Sequence, residues 1–599
     1  MRVCTLFGSH AIVVGLLYLV GAVESYAVDA AALQGEAAAP TTYCNPLDID
    51  YAYCPIPNFV GHGKHRTTAD PVIVTFRGDY YLFSTNQWGY WWSEDMARWN
   101  FVPRKFLKPH HTVYDELCAP GAFVMDDALY LIGSTYTDDF ALYKSNDPRS
   151  GEWTMAVENF KGGPAGVWDP AFFLDDDGRL FMYHGSSNAH PMYGRKVDRE
   201  TLQPAAQVQD LIGLRHELHG WERFGEANDN TFLRPFIEGA WMTKHAGRYY
   251  LQYSAPGTEF SGYADGVYVG DGPLGPFEYQ RHNPFAYKPG GFGRGAGHGA
   301  TFQDPHGRWW HTSSITVGVK NNFERRIGIW PAGFDAQGVM FCDTAFGDYP
   351  HHLPSSDAER PTFTGWMLLN YAKPVRVSSS LGGLSANFAV DEDIRTYWSA
   401  ASGGPDEWIE TDLDEVCDVR AVQINYADQD AKLMGKVAEL EHRYKLLASS
   451  DGVRWEVLVD QSESGRDSPH AYIELAAPTE AKFIRLENIA VPTGKFALSG
   501  LRVFGRGRGQ PPPAVEEFVA LRGDSERRNA WLKWRAVPEA TGYIVRVGVD
   551  PSKLYTAVTV HAASEYCFRA MTADEAYYFS VEAFNENGIS AASPIVSAK

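Results

Sequence analysis

Short apolar runs separated by turn residues fill the chain from Cys44 to about Pro354, and helical periodicity is nearly absent there. The stretch 168–185 shows the pattern most clearly. It contains an Asp-Pro pair, a short apolar run, the turn Asp-Asp-Asp-Gly and a second apolar run. This order predicts a β-hairpin with a carboxylate at its mouth. Residues 69–84 and 237–254 repeat it, again with an acid before the first strand.

The hairpins belong to a longer repeat, whose units begin near Asp70, Ala119, Asp169, Glu238 and His298. A unit of about fifty to seventy residues suits a four-stranded propeller blade. Five units therefore predict a five-bladed β-propeller over residues 43–354. A β-sandwich is the alternative for many short strands, but the repeat makes it the weaker choice.

Two further patterns follow the propeller, so the predicted fold class is all-β throughout. After a polar linker at 355–364, alternating strands over 365–506 predict a β-sandwich, which we call the second domain. A Gly/Pro-rich linker separates it from residues 514–599, the third domain, whose alternation is typical of a small immunoglobulin-type sandwich.

The N-terminus predicts export. An apolar run from Ala11 to Val23 precedes Ser25-Tyr26-Ala27, a small-x-small cleavage pattern, so residues 1–27 are interpreted as a signal peptide and 28–42 as a linker. The apolar run is shorter than the ~20 residues that span a bilayer, so we expect no membrane span and a secreted or periplasmic protein. Export permits disulfides, and Cys44 with Cys54 is the nearest pair.

Composition limits the classes of ligand that the protein is expected to bind. A formal net charge of −21 argues against a nucleic-acid ligand, which would require a basic face. Aromatic residues make up 14% of the chain, which suits strands and sugar-binding surfaces alike. A polysaccharide or oligosaccharide is the expected partner.

Three acids carry the candidate chemistry: Asp70, Asp169 and Glu238, each at the start of a repeat unit. Since the first strand of every blade lines the propeller axis, acids at these starts converge although they lie far apart in sequence. Hydrolysis of a glycosidic bond needs a proton donor and a second carboxylate. The alternative is that Asp70-Pro71 and Asp169-Pro170 are ordinary turn pairs.

These motifs resemble the family 43 glycoside hydrolases. The similarity lies in Asp-Pro with Gly-x-Tyr-Tyr-Leu at 70–82, Asp-Pro-x-x-Phe with Asp-Asp-Asp-Gly at 169–178, and Glu-Gly with Gly-x-Tyr-Tyr-Leu at 238–251. The resemblance implies a five-bladed, inverting enzyme. It further implies that Asp70 is the general base, Asp169 orients and modulates the general acid, and Glu238 is that acid.

The resemblance extends to binding residues. His298 in Gly-His-Gly matches the family's axial histidine, which implies a nearby calcium ion or water cluster, although the chemistry itself requires no cofactor. The alternative is an ordinary hydrogen-bonded histidine. An arginine on the last inner strand is expected to contact substrate, and of Arg325 and Arg326 strand alternation favours Arg325. Trp88 and Trp168 are candidates for stacking on sugar faces.

The chain also departs from the family pattern. It has Glu238-Gly239-Ala240 where the family usually has Glu-Gly-Pro, and the segments 219–225 and 346–350 are not general family features. These differences weaken a default xylosidase assignment.

The second domain resembles a discoidin-type (coagulation factor five/eight C-type) domain through Asp391, Thr396-Tyr397-Trp398-Ser399 and Ser450-Asp451-Gly452 with Trp455. That resemblance implies sugar binding through edge loops and a structural calcium. The third domain resembles a fibronectin type III domain.

The sequence therefore predicts a secreted inverting glycoside hydrolase that cleaves polysaccharide side chains. α-L-Arabinofuranosidase or β-xylosidase activity is favoured, with β-galactofuranosidase as a further alternative. The competing hypothesis is a non-catalytic carbohydrate-binding or adhesion protein, because propellers and sandwiches serve both purposes.

Overall fold

Strands dominate the computed structural model, which describes residues 40–54, 65–85, 87–105, 117–134, 140–160, 168–357 and 359–598. The predicted signal peptide, residues 1–27, and the linker up to residue 39 lie outside the described residues. Helix in the described ranges is limited to single 3-10 turns at Pro148–Ser150, Gly220–Glu222 and Ala386–Ala389. None of these is long and apolar enough to cross a membrane.

Five antiparallel four-stranded sheets follow β1 (Thr42–Tyr43). Blade one contains β2 (Val72–Phe76), β3 (Asp79–Phe83), β4 (Gly89–Ser93) and β5 (Asn100–Pro103). Blade two contains β6 (Cys118–Met125), β7 (Ala128–Ser134), β8 (Leu142–Ser145) and β9 (Thr154–Val157). Blade three contains β10 (Ala171–Leu174), β11 (Leu180–His184), β12 (Met192–Val197) and β13 (Gln209–Ile212). Blade four contains β14 (Glu238–His245), β15 (Arg248–Ala255), β16 (Ala264–Gly270) and β17 (Phe277–Tyr279). Blade five contains β18 (Arg294–Gln303), β19 (Trp309–Thr316), β20 (Arg325–Phe334) and β21 (Met340–Cys342).

The first strands of the blades form a closed ring. β2 neighbours β6, β6 neighbours β10, and the series continues through β14 and β18 back to β2. β1 pairs with β22 (His351–His352), which joins the two ends of the region. The predicted five-bladed propeller is confirmed.

Apolar side chains between neighbouring blades hold the ring together. Phe123 of β6 stacks on Phe172 of β10, with ring centroids 4.9 Å apart, and both are buried. Phe172 alternates along its strand with Phe173, whose ring meets Tyr249 of blade four. One strand thus packs on both of its neighbours, because successive side chains point to opposite faces of a sheet.

The second domain is a β-sandwich, as predicted. Its strands are β23 (Met367–Leu368), β24 (Val375–Val377), β25 (Trp398–Ser399), β26 (Trp408–Tyr426), β27 (Arg443–Ser449), β28 (Glu456–Asp460), β29 (His470–Ala490) and β30 (Ala497–Arg506). The long strands β26 and β29 pair with each other, and register shifts in β26 mark where it bends. Trp398 and Phe496 pack edge to face in the core of this domain.

The third domain has two sheets. The first contains β31 (Val519–Arg522), β32 (Ala530–Lys533) and β35 (Glu565–Phe568); the second contains β33 (Gly542–Gly548), β34 (Thr556–His561), β36 (Tyr577–Asn585), β37 (Gly588–Ile589) and β38 (Val596–Ala598). This layout has the two layers expected of an immunoglobulin-type sandwich. Its fibronectin type III assignment stays a prediction.

The two segments that depart from the family pattern lie at domain contacts. In 219–225, the N–H of Gly220 donates to the carbonyl of Met571 in the third domain, over 2.9 Å. A Cβ at Gly220 would lie 2.3 Å from the Arg569 carbonyl, so only glycine fits. In 346–350, Phe346 packs on Phe584 of the third domain. Docking of domains therefore explains these segments without reference to the substrate.

The predicted disulfide is wrong. Cys44 is a free thiol in the structure and forms no bond to Cys54. The thiol of Cys44 donates to the carbonyl of Asp348 over 3.3 Å, and burial raises its pKa to about 12.

Candidate active site

Five residues with left-handed backbone mark the mouth of the propeller axis, one within or just before the inner strand of each blade. They are Asp70 (φ 53°), Ala119 (φ 42°), Asp169 (φ 51°), Gly239 (φ 67°) and His298 (φ 49°). In four blades, a hydroxyl of the preceding blade in the ring accepts a hydrogen bond from the N–H of this residue. The donor and acceptor pairs are Asp70 to Ser314 (3.0 Å), Ala119 to Thr85 (2.8 Å), Asp169 to Ser134 (3.1 Å) and His298 to Ser254 (2.7 Å).

Blade four differs, and the difference concerns Glu238. The residue equivalent to Asp70 and Asp169 in this blade is Gly239, so Glu238 lies one position earlier than the repeat predicted. The register of β14 against β15 shifts between Glu238 and Trp241, as a β-bulge requires. The N–H of Gly239 donates to Oδ2 of Asp169 over 3.2 Å, where the other blades use a hydroxyl.

The predicted acids converge on one imidazole. Nδ1 of His298 lies 3.2 Å from Oδ1 of Asp70 and 3.9 Å from Oδ2 of Asp169. Asp169, Glu238 and His298 present side-chain oxygen or nitrogen atoms that all lie within 4.8 Å of one another. The structure thus brings together four residues from blades one, three, four and five.

The surroundings of Asp70 favour its ionised form. Burial alone would raise the pKa of this carboxyl, but the charges of His298 and Arg325 and a hydrogen bond from Thr85 outweigh burial and lower it. The Thr85 hydroxyl donates to Oδ2 over 2.5 Å. A buried carboxylate that is ionised at neutral pH can accept a proton from water.

Asp169 has the opposite balance. Burial raises its pKa, the nearby charges of Glu238 and Asp70 raise it further, and the opposing effects of His298 and the Gly239 N–H leave it at about 7. Because like charges this close disfavour joint ionisation, Asp169 takes up a proton near neutral pH.

Two hydroxyls hold the carboxyl of Glu238. Tyr263 donates to Oε1 over 2.6 Å, and Ser186 donates to Oε2 over 3.0 Å. Sequence reasoning missed both partners. Ser186 follows the second strand of its blade, as Thr85 does in blade one, so the repeat carried a signal for it, whereas nothing marked Tyr263.

The axial residues fit an internal ion network better than a calcium site. Burial would lower the pKa of His298, but the surrounding acids, with Asp70 first, raise it and favour the imidazolium. Calcium takes six to eight oxygen ligands, whereas Asp169, Glu238 and His298 offer two carboxylates and an imidazole whose raised pKa favours the protonated form. Calcium at the axis and in the second domain stays a prediction.

The two candidate arginines point to different neighbours. Arg325 donates to the Thr258 hydroxyl over 2.8 Å and lies 3.7 Å from Oδ1 of Asp70. Arg326 donates to Nε2 of His470 in the second domain over 2.8 Å. Arg325 belongs to β20, the third strand of blade five, so its expected place on an inner strand is wrong.

Glu259 is a fourth acid near this site, which the repeat did not indicate. Burial raises its pKa, and the charge of Glu238 adds to that rise while Arg325 opposes it. Glu259 follows Thr258, the partner of Arg325, in the loop between β15 and β16. Its position shows that this loop forms part of the wall around Glu238.

The two tryptophans predicted to bind sugar lie in different surroundings. The ring of Trp88 packs on Gly435 of the second domain, where a Cβ would lie 1.8 Å from the indole, so Trp88 is an interface residue. Its predicted role as a sugar platform stays a prediction. Trp168 directly precedes Asp169, and its carbonyl accepts a hydrogen bond from Gly185 over 2.8 Å. Its stacking role stays a prediction.

Comparison with known families agrees with this geometry. The model of glycosyl hydrolases family 43 matches residues 63–340, from before the first blade to the last strand of the fifth. The propeller is therefore similar to the glycosyl hydrolases of family 43 over almost its whole length. The F5/8 type C model matches residues 374–499, so the second domain is of the discoidin type.

Curated relatives of the family 43 domain carry related names. A beta-xylosidase of Xylanibacter ruminicola is 32% identical over 176 residues, which are 26% of this chain and 53% of that protein. A xylosidase/arabinosidase 43A of Humicola insolens is 28% identical over 275 residues, 35% of this chain and 78% of that protein. The chain thus spans about half the length of the first relative.

Solved structures similar to the chain include proteins described as a glycoside hydrolase and a thermostable family-43 glycoside hydrolase. The first shares 17% identity at a TM-score of 0.44 and covers 76% of this chain and 99% of its own. The second shares 18% identity at a TM-score of 0.41 and covers 54% of this chain and 100% of its own.

Proposed function

We propose that this protein hydrolyses O-glycosidic bonds in polysaccharide side chains with inversion at the anomeric carbon. α-L-Arabinofuranosidase or β-xylosidase activity is favoured, with β-galactofuranosidase as the alternative. The observation that carries the proposal is the convergence of Asp70, Asp169 and Glu238 at the axis of a family 43 domain. The names of the relatives, a xylosidase and a xylosidase/arabinosidase, support the choice of sugar.

The proposed mechanism assigns each step to one of these residues. Glu238 donates its proton to the glycosidic oxygen as the bond to the anomeric carbon breaks. Asp70 accepts a proton from a water molecule, whose oxygen attacks that carbon from the opposite face. The products are an inverted sugar hemiacetal and a free hydroxyl on the leaving group. Asp169 holds Glu238 through the Gly239 N–H, and Arg325 contributes positive charge beside Asp70.

The roles can be tested with aryl pentosides and aryl galactofuranosides. We expect the wild type to cleave at least one, and Asp70→Asn to lower kcat by about 10²–10⁴-fold. Glu238→Gln should cost a similar factor on substrates with poor leaving groups and much less on dinitrophenyl glycosides, which depart without protonation. Asp177→Asn, at an exposed turn of blade three, is the control and should keep wild-type activity.

Two further measurements separate the alternatives. Proton NMR of the first-formed sugar should show inverted configuration, and a retained anomer would remove the water-activating role from Asp70. A wild type that cleaves no member of a broad panel yet binds glycans would favour the non-catalytic carbohydrate-binding or adhesion protein.

The remaining domains support action on an external polymer. We propose that a signal peptide cut after Ala27 directs the protein to the periplasm or outside the cell, that the discoidin-type domain contacts glycan, and that the third domain is a fibronectin type III spacer. N-terminal sequencing of exported protein should begin at Val28.

A further inference from the structure

An open pocket of about 180 Å³ lies beside the candidate active site, between blades three and four. Its lining includes Ser187, His190, Leu214, His216, Arg234 and Ile237. These residues come from the loops after β11 and β13 and from the segment that enters β14. Because β10 and β14 both begin at the acids and neighbouring strands are antiparallel, these loops lie on the same face of the propeller as the acids.

The pocket wall is continuous with the Glu238 carboxyl. Ser187 and Ile237 exchange two backbone hydrogen bonds, each of 3.0 Å. The residues next to them, Ser186 and Glu238, are joined through their side chains over 3.0 Å. Since consecutive Cα atoms are about 3.8 Å apart, the pocket begins within one residue of the proposed acid.

The position decides which part of a substrate the pocket faces. A general acid protonates the oxygen that leaves, so the departing part of the glycan lies on the side of Glu238, while the water lies on the side of Asp70. The pocket adjoins Glu238 and therefore faces the leaving group. For a side-chain hydrolase that leaving group is the polysaccharide backbone.

The lining suits a sugar ring. The guanidinium of Arg234 offers several N–H donors and, among the residues that the structure describes, makes no ion pair with an acid. His190 and the Ser187 hydroxyl add polar groups, and Leu214 and Ile237 add apolar surface. This mixture of a few polar groups on an apolar wall is typical of small-ligand sites.

An exposed apolar stretch borders the pocket. Phe232 is 94% exposed, Leu233 is 54% exposed and Phe236 is 38% exposed. The side chain of Asn230 accepts hydrogen bonds from the N–H groups of Phe232 and Leu233, over 2.9 and 3.0 Å, which fixes the loop. Contiguous exposed apolar side chains mark interaction surfaces, and an aromatic face can stack on the C–H face of a pyranose.

We propose that this pocket, with the loop that carries Phe232, binds the polysaccharide backbone on the leaving-group side of the scissile bond. The inference rests on the proposed function, because it takes Glu238 as the proton donor. It adds a specificity site in which Phe232 supplies a stacking surface and Arg234 supplies donors to sugar hydroxyls.

The test compares two substrates that share the cleaved sugar. One is an aryl glycoside, and the other is a xylo-oligosaccharide that carries the same sugar as a side chain. We expect Phe232→Ala and Arg234→Gln each to lower the ratio of kcat/KM for the oligosaccharide to that for the aryl glycoside by about tenfold, which corresponds to about 1.4 kcal/mol. Val453→Ala, at an 80% exposed position of the second domain, is the control and should keep the ratio.

The outcomes distinguish the two proposals. An unchanged ratio in both variants overturns the subsite and leaves the hydrolase intact, whereas a wild type that cleaves neither substrate overturns the hydrolase and the subsite with it. A change of sedimentation coefficient in Phe232→Ala without a change of ratio would assign the loop to contact between copies of the chain and overturn the subsite. Because Phe232 is exposed, its truncation should leave Tm nearly unchanged.

Discussion

Oδ2 of Asp169 accepts a hydrogen bond from the backbone N–H of Gly239, over 3.2 Å. Gly239 directly follows Glu238, so this bond fixes the backbone from which the proposed acid extends. In the four other blades the matching N–H bonds to a serine or threonine hydroxyl. In blade four, whose inner strand β14 begins with Glu238, the Asp169 carboxylate thus takes the place of that hydroxyl. Asp169 is therefore a positioning residue for Glu238.

Replacement of Gly239 by alanine should impair catalysis. The backbone at Gly239 is left-handed, with φ 67°, and a Cβ there would lie 2.7 Å from the Ser254 hydroxyl and 3.0 Å from the ring of His298. The substitution would push the imidazole away from the acids. We expect kcat to fall at least about tenfold, as about 1 Å of misplacement in an active site costs up to 10²-fold.

Gly247→Ala provides the matched control for this prediction. Gly247 also has a left-handed backbone, with φ 80°, but nothing lies within 4 Å of the position of an added Cβ. Both variants should lose about 1 kcal/mol of stability through backbone strain, and only Gly239→Ala should lose activity. Equal kcat values in the two variants would contradict the proposed contact between Gly239 and His298.

Asp169→Asn should change how stability depends on pH. The pKa of Asp169 is raised to about 7 in the folded protein, compared with about 3.9 in an unfolded chain. Its favourable contribution is complete below about pH 4 and is lost as pH rises through about 7. Asparagine cannot ionise, so the Tm of Asp169→Asn relative to wild type should rise between about pH 4 and about pH 7 and then level off.

The raised pKa of His298 has an effect of the same sign. The stability that comes from this raised pKa is also lost as pH rises, and Asp169→Asn removes the part of it that the Asp169 charge supplies. Parallel Tm profiles for wild type and Asp169→Asn would show that Asp169 ionises in the folded state much as in the unfolded chain. The variant should also lose kcat, because the Gly239 N–H then faces an amide in place of a carboxylate.

The parts of the site that sequence reasoning found share one property. Asp70, Asp169 and His298 each lie beside a signal in their own segment, an Asp-Pro pair or Gly-His-Gly, and the blade repeat places those segments at one axis. Glu238 was found in the same way, but its exact place was not, since a bulge shifts it by one residue.

The parts that were missed depend on contacts between segments remote in sequence. Tyr263 meets Glu238 through its hydroxyl, and Glu259 approaches it from the same loop. No local pattern distinguishes either residue from an ordinary tyrosine or glutamate. The contact between Trp88 and the second domain was missed for a related reason, because an aromatic side chain near a site can cover a sugar or a neighbouring domain, and only the fold shows that it lies against Gly435.

His298→Gln should move the acidic limb of the kcat/KM profile to higher pH. The positive charge of His298 is the largest of the effects that oppose burial and hold down the pKa of Asp70. Without it the carboxyl protonates more readily, so a higher pH is needed to keep the base ionised. An opposite charge at this distance shifts a carboxyl pKa by about 1–3 units, so the limb should move by about one unit. His306→Gln, at an exposed turn of blade five, is the control, and an unmoved limb in His298→Gln would contradict the assigned role.

Arg66→Met should destabilise the propeller and the second domain together. Arg66 is fully buried at their interface, where its guanidinium lies 3.3 Å from Asp428 and 2.7 Å from Asp467 of the second domain. Removal of one partner leaves buried carboxylates without a counter-charge, which costs about 3–5 kcal/mol. Arg77→Met is the control, because its partner Asp127 is 73% exposed and such surface pairs contribute at most about 1 kcal/mol. Urea unfolding should show a much lower midpoint for Arg66→Met than for Arg77→Met.

Since Arg66 lies four residues before Asp70, kcat should fall as well at temperatures where the variant remains folded. Equal midpoints in the two variants would show that the second domain does not support the strand that carries the base.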